Sequence, residues 1–297
     1  MAGLTRTTRT ASHQGSAARS GFTIVELGVS ILVIAILIGL LLVGLNRLSR
    51  TAQSGAERAN VNALKIAIES FKNDFGFAPP LVKDGLTYPG GTPTTSPLVS
   101  MSGSNFVDVY RTDVDTDVEF LQGDVSGMED MRFSVYSLSY YLIGVLDADY
   151  DGNDGVGFRE PSRDGTFRKA GGRLTDPLFD AAGDSDRLVE VDAEEGRFEL
   201  RDRNGVPYRY YRWLPIDSSA ASNVTDLRRV PSLVGDPAEN IELRDAKYAI
   251  VAAGPNRVFG DLSTEDRELL EAELGRGLTD AELEAAGRAD NIVEVGR

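Results

Sequence analysis

The sequence predicts an α+β chain: a long N-terminal helix, half apolar and half amphipathic, packed on a small antiparallel β-sheet head that carries loop and helical insertions. Three observations predict it. The nineteen residues from Leu27 to Leu45 are Leu, Ile, Val and Ala but for Gly28, Ser30, Gly39 and Gly44, and helical spacing continues beyond them as far as Gly76, Pro79 and Pro80. Short runs rich in Val, Tyr and Phe come late in the chain, with turn signals at Glu195-Gly196 and Asn204-Gly205. With 297 residues, 41% of them hydrophobic, the chain can build a folded core.

At about 1.5 Å of rise per residue, Leu27–Leu45 nearly crosses a hydrocarbon core of about 30 Å. One membrane span is therefore expected. A secretory signal peptide has a shorter apolar region followed by an A-x-A-like site; no such site follows here, and the helical pattern runs on past Asn46. A lipoprotein signal needs a cysteine, and the chain has none. The basic residues leave orientation open, because Arg6, Arg9 and Arg19 on one side face Arg47, Arg50 and Arg58 on the other. Glu26 stands out at the start of the span, since an acid costs about 2.5–3.5 kcal/mol at a span's centre and less near its end.

Past the span, Leu48, Ala52, Ala56, Ala59, Ala63, Ile66 and Ala67 recur at three- and four-residue steps, with Arg50, Gln53, Glu57, Arg58 and Asn60 between them. This predicts one helix over 22–75, about 80 Å long, whose Ala-rich face lies on a sheet. Residues 76–297 then form the head. Within it, 81–130 reads as a loop-rich excursion containing "YPGGTPTTSP" and the Asp-rich "VDVYRTDVDTDVEF". Phe133–Leu146 fits strand or helix, with Leu138, Tyr141, Leu142 and Val145 at helical spacing. Strands are expected at 188–191, 197–200, 208–213 and 247–252, forming a small antiparallel meander against the helix. A helical insertion over 263–289 carries capping-box patterns at Ser263/Asp266 and Thr279/Glu282.

Charge and composition exclude several chemistries. Residues 1–21 hold three arginines and no acid, which leaves 28 bases against 46 acids, a net −18, for the rest. A surface so acidic argues against nucleic acid as a partner and suits one that attracts divalent cations. Without cysteine there are no thiolate nucleophiles, zinc thiolates or disulfides. The only histidine is His13, and no Gly-rich stretch has P-loop or dinucleotide spacing. A non-enzymatic role is expected. One cation motif is visible from spacing alone: in "DADYDGNDG", Asp147, Asp149 and Asp151 alternate ahead of Gly152, as at the start of an EF-hand-like loop. Its twelfth position is Phe158 where a bidentate Glu would stand, and Glu160 comes two residues late.

"SGFTIVEL", Ser20–Leu27, resembles the processing site of type IV prepilins and type II secretion pseudopilins: a short basic leader, a Gly, then Phe-Thr-x-x-Glu opening the apolar helix. "ALKIAIESFKNDFGFAPP", "LRDRNGVPYRYYRW" and "YAIVAAGPNRVFGD" resemble, in order, the helix end and the later strands of the major pseudopilins. The resemblance implies a type IV pilin-like fold. It also implies cleavage of leader 1–21 between Gly21 and Phe22 by a prepilin peptidase and methyltransferase, which methylates the new Phe22 amine. Glu26 then becomes the fifth mature residue and an assembly residue. Further implications are a homo-oligomeric filament with other pseudopilins, an inner-membrane assembly platform, and a single-pass inner-membrane location with the head in the periplasm, or alternatively a cell-surface filament. A calcium site in the C-terminal loop is implied as well, its candidates by position being Asn256, Asp261, Asp290 and Asn291. Three functions follow: a secretion pseudopilin, a major or minor type IV pilin for adhesion or motility, or, from another class, a membrane-anchored calcium-dependent binding protein or hydrolase.

Overall fold

A computed structural model of the chain describes residues 24–82, 106–107, 133–145, 151–162, 167–181, 187–192, 197–213, 230–260 and 264–297. Helix α1 runs from Ile24 to Phe75, with Glu26 in its first turn and Lys72 in its last, the placement that complements the helix dipole. Gly76, at φ +80°, ends it, and its amide donates to the Lys72 carbonyl at 2.8 Å. The chain divides into two compact units, 1–49 and 50–297.

In the first unit the described apolar side chains of α1, at 24–39 and 41, are exposed on every side, among them Ile24, Leu27, Ile31, Ile34, Leu37 and Leu41. Among the residues whose side chains are described, no helix is long and apolar enough to cross a membrane; those of 40 and 42–50 lie outside that set.

The second unit is mixed helix and sheet. Its main sheet has four antiparallel strands in the order β10-β9-β8-β3, namely Ile292–Gly296, Tyr248–Ala252, Arg209–Arg212 and Phe133–Ser134. The register sets Tyr210 opposite Ile250 and Ile292 opposite Ala252. Tyr210, Tyr248, Ile250, Ala252 and Ile292 pack in one core with Val61, Leu64, Ala67, Ile68 and Phe71 of α1. Tyr211, Ala249 and Val251 form a second core with Trp213, Leu233, Leu243 and Phe259. Strand β9, buried at every residue, reads as an unbroken apolar run because both faces of the sheet are covered. On the second face the Arg209 guanidinium sits between two rings, 4.3 Å from the centre of Phe133 and 3.8 Å from that of Phe259.

Three expectations change. The face of α1 on the sheet is Glu57, Val61, Leu64, Ala67, Ile68 and Phe71, whereas Ala52, Ala59, Ala63 and Ile66 are exposed. Both stripes have helical spacing, and the one whose burial removes more apolar area turns inward. The expected four-strand meander also splits. Among the described residues, strands β6 (Leu188–Asp192) and β7 (Arg197–Leu200) pair only with each other, and the main sheet is completed by β3 and β10. Finally, 133–145 holds both a strand and helical turns, and the helical spacing of Leu138, Tyr141 and Leu142 falls in the latter. Two residues of β3 lead into a π-helical turn at Ser139–Ile143, all of it buried, which stops at Gly144 with φ +70°. Only glycine fits there, since a Cβ on Gly144 would lie 2.6 Å from the Gly157 carbonyl.

Shorter pairs complete the head: β1 (Leu81–Val82) with β2 (Phe106–Val107), and β4 (Phe158–Arg159) with β5 (Leu174–Thr175). A one-turn helix α2 (Glu242–Asp245) precedes β9. The C-terminal insertion contains α3 (Thr264–Leu274) and α4 (Asp280–Arg288), closed on Val258 through Leu270, Leu278 and Leu283. The Thr279/Glu282 capping box forms as expected. Ser263 lies outside the described residues, and Asp266 instead accepts from the Gly260 amide at 2.8 Å.

Leu64→Ala should cost about 2–5 kcal/mol in denaturant unfolding of the full chain, because it opens a cavity between α1 and the sheet. Ala63→Ser, on the exposed side, should stay within about 0.5 kcal/mol.

Candidate functional site

Glu26 lies on α1 and is exposed, and its backbone carbonyl accepts from the Ser30 hydroxyl at 2.8 Å. Gly21 and Phe22 lie outside the described residues.

Of the EF-hand-like run, Asp147 and Asp149 also lie outside them. Asp151 is fully buried; its Oδ1 accepts from the Asn153 amide at 2.9 Å and its carbonyl from the Arg159 amide at 3.1 Å. Asn153 in turn donates to the Val156 and Gly157 carbonyls at 3.0 and 3.1 Å. The result is an Asx turn braced on β4. Phe158, at the twelfth position, is fully buried in the core beside Phe71 and Phe75, and Glu160 pairs with Arg168 at 3.2 Å. The position that supplies a bidentate carboxylate in an EF-hand is here a core aromatic.

Three of the four residues in the C-terminal loop do converge. Gly254, at φ +71°, lets the chain after β9 approach the turn after α4 so closely that a Cβ on it would overlap the Asp290 carbonyl. Asn256 then stitches the two segments. Its amide and side-chain nitrogens donate to Asp290 at 3.2 and 3.4 Å, and its side chain also reaches the carbonyls of Ala286 and Gly287 at 3.1 and 3.0 Å. These are terminal carbonyls of α4, the groups a helix end leaves without partners. Arg257, the one described non-glycine residue with positive φ (63°), follows, and the Val258 amide donates to Asn256 Oδ1 at 3.0 Å.

Asn291 donates to the Phe259 carbonyl at 3.0 Å, while its Oδ1 is buried without a hydrogen-bond partner. Asp261 lies outside the described residues. The fit to a hard cation is therefore uneven. Asp290 and Asn291 present oxygens, whereas Asn256 uses its oxygen on Val258 and turns its nitrogen toward Asp290. Among the described residues no three His, Cys, Asp or Glu side chains are grouped to hold a metal.

A further polar constellation centres on Glu57, which helical spacing alone assigns to the polar side of α1. Glu57 is 2% exposed and joins α1 to the turn before β8, accepting from the Tyr208 hydroxyl and from the Arg203 amide at 3.1 Å. Asp202 Oδ1 accepts from the amides of Asn204 and Val206 at 2.8 and 2.9 Å, and Gly205 turns the chain at φ +81°. Asn204 reaches on to the Gly254 carbonyl at 2.9 Å, tying this turn to the C-terminal loop. Burial raises the Asp202 carboxyl to about 6, and the negative charge of Glu57 acts in the same direction. Burial and Glu57 likewise push the Tyr208 phenol up, so it stays a donor. The signal available in sequence is Asp202-x-x-Gly205-x-Pro207-Tyr208, whose Asx turn and terminal phenol serve to grip the helix.

Asn256→Ala should cost about 1–3 kcal/mol in unfolding, because it leaves buried polar groups around the loop without their partner. Amide exchange should quicken at Val258 and through 286–291. Asn256→Asp should cost more, by setting a second carboxylate against Asp290.

No protein-family model, no curated protein and no solved structure matches this chain.

Proposed function

We propose that this chain is a structural subunit of an inner-membrane-assembled filament, a type II secretion pseudopilus, processed and N-methylated by a prepilin peptidase and used to drive protein secretion. The observation that carries the reading is α1 itself. Fifty-two residues form one helix with Glu26 in its first turn; the described apolar side chains at 24–39 and 41 are exposed all round, and a sheet covers one face of its last part. An all-round apolar helix needs lipid or other helices about it. The pilin-like fold, the membrane anchor and a periplasmic head belong to the same proposal.

Cleavage before Phe22 creates a cationic amine beside the bilayer. Glu26 of a neighbouring subunit can pair with that amine, so that each charge offsets the other's desolvation, and removal of either leaves an uncompensated charge. The partners are copies of this chain, other pseudopilins, the peptidase and the assembly platform. A head of residues 76–297 is large for a major pseudopilin, which favours a minor subunit or a type IV pilin as the second reading. Calcium is proposed as the ligand of the C-terminal loop through Asp290, Asn291 and Asp261.

Mass spectrometry of protein from its native membrane should find Phe22, carrying one methyl group, as the first residue; an intact Met1 or a cut elsewhere overturns the reading. Glu26→Ala should keep that cut and the head's melting temperature while abolishing incorporation into filaments. Saturating calcium should raise the melting temperature of the full chain, by the equivalent of about 2.7 kcal/mol at a hundredfold excess over Kd. Asn291→Ala should remove the rise, and the absence of any rise retires the ion.

A further inference from the structure

The seam between α1 and the turn before β8 holds two carboxyl groups away from solvent. Glu57, from the helix, and Asp202, from the turn, are each 2% exposed. Glu57 has a donor for each oxygen, the Tyr208 hydroxyl and the Arg203 amide. Asp202 has two for Oδ1, whereas its Oδ2 is buried and takes no hydrogen bond. The groups facing this pair come from three segments. Glu57 comes from α1, and Asp202, Arg203, Asn204 and Tyr208 come from the turn. Arg187, ahead of β6, places its positive charge within reach of Tyr208. Arg201 is turned aside, pairing with Glu199 at 2.8 Å.

An orphaned carboxylate oxygen beside a second buried carboxylate is unfavourable on both counts, desolvation and repulsion. One proton on Asp202 removes both: the charge disappears and Oδ2 becomes a hydroxyl that can donate. We propose that Asp202 and Glu57 form a proton-dependent clasp between α1 and the 202–208 turn, which holds the helix more firmly when Asp202 is protonated and less firmly once the proton leaves.

The position of the Asp202 carboxyl, lifted to about 6 by burial and then by Glu57 against the pull of its backbone donors, agrees with this geometry. An unfolded Asp titrates near 4. A folded value above the unfolded one means that the native state binds the proton more tightly. The clasp's contribution is therefore fully present below about pH 4, declines between about 4 and 6, and stays lost above that. Over that window the folding equilibrium constant should fall by about a hundredfold through this group alone.

The test compares melting of the full chain in detergent, wild type against Asp202→Asn, from about pH 4 to about pH 8. The carboxamide introduced by that substitution would keep the Oδ1 turn and supply a permanent donor at the second position. The expected result is a melting-temperature difference that swings in favour of the variant as pH rises from about 4 to about 6 and is flat beyond. A difference constant across the whole range overturns the clasp, since a purely structural Asx turn would behave that way. Should the variant fail to fold, carboxyl-carbon NMR of wild-type Asp202 decides. Titration near pH 6, shifted lower in Glu57→Gln, supports the proposal; titration near pH 4 overturns it.

Discussion

The packing of one face of α1 on a tyrosine-rich sheet face is the contact from which the head is built. Val61, Leu64, Ile68 and Phe71 meet Tyr208, Tyr210, Tyr248 and Ile250, and Phe71 alone touches the rings of Phe75, Phe77, Tyr141 and Phe158. Large aromatic side chains fill the space between a helix and a twisted sheet with few residues, and the phenols supply hydrogen bonds where the core meets polar chain. Tyr210 donates to the Pro79 carbonyl at 3.0 Å and Tyr248 to Glu69 at 2.7 Å, so two of the sheet's tyrosines also fix the helix and its exit. Around Glu69, burial alone would raise the carboxyl; Lys72, Tyr248 and Lys65 outweigh it and hold the group below its usual range.

Against that frame the polar seams divide by the kind of group each leaves over. The described part of the loop after β9 closes on the end of α4 through Asn256, which bonds Asp290 and the Ala286 and Gly287 carbonyls. Among the described residues of that seam, the Asn291 Oδ1 and the Arg288 Nε are left over. The helix-to-turn seam at Glu57 keeps one carboxylate oxygen without a donor. Buried polar networks of the first kind fix a single arrangement, while the second kind leaves a contribution that solution conditions can alter. Both meet at Asn204, whose backbone serves Asp202 and whose side chain serves Gly254.

Much of the scaffold is legible because its signals are local. The helix end at Gly76, the strands at 197–200, 209–212 and 248–252, and the Thr279/Glu282 box each follow from spacing and turn chemistry within a few residues. Pairing is not legible. The β6–β7 hairpin has turn-bounded alternation like its neighbours, yet which sheet it joins depends on partners distant in sequence. β10 escapes a sequence reading because "IVEVG" follows two helices with no turn-bounded partner next to it in sequence, and its pairing is with β9. The helix face departs from expectation for a related reason, as the two stripes share a period and the buried one, though larger in its apolar side chains, also carries Glu57. At the sites, Asn256, Asp261, Asp290 and Asn291 are named by position through the pseudopilin resemblance and by no spacing of their own. For Glu57 and Asp202 the letters signal only the Asp202-x-x-Gly205 turn; among 46 acids they do not say which carboxylates are buried.

The pairing of Lys65 with Glu294 at 3.2 Å joins residues separated by 229 positions. Everything in the second unit apart from α1 lies between or beside those two points, so the helix is made long before the strand β10 that flanks its sheet. Until β9 and β10 arrive, the Val61–Phe71 face lacks the cover of Tyr248, Ile250, Ala252 and Ile292. Loop closure over such a span is slow compared with helix formation. During that interval the helix carries an apolar stripe, Val61, Leu64, Ile68 and Phe71, whose cover is still incomplete.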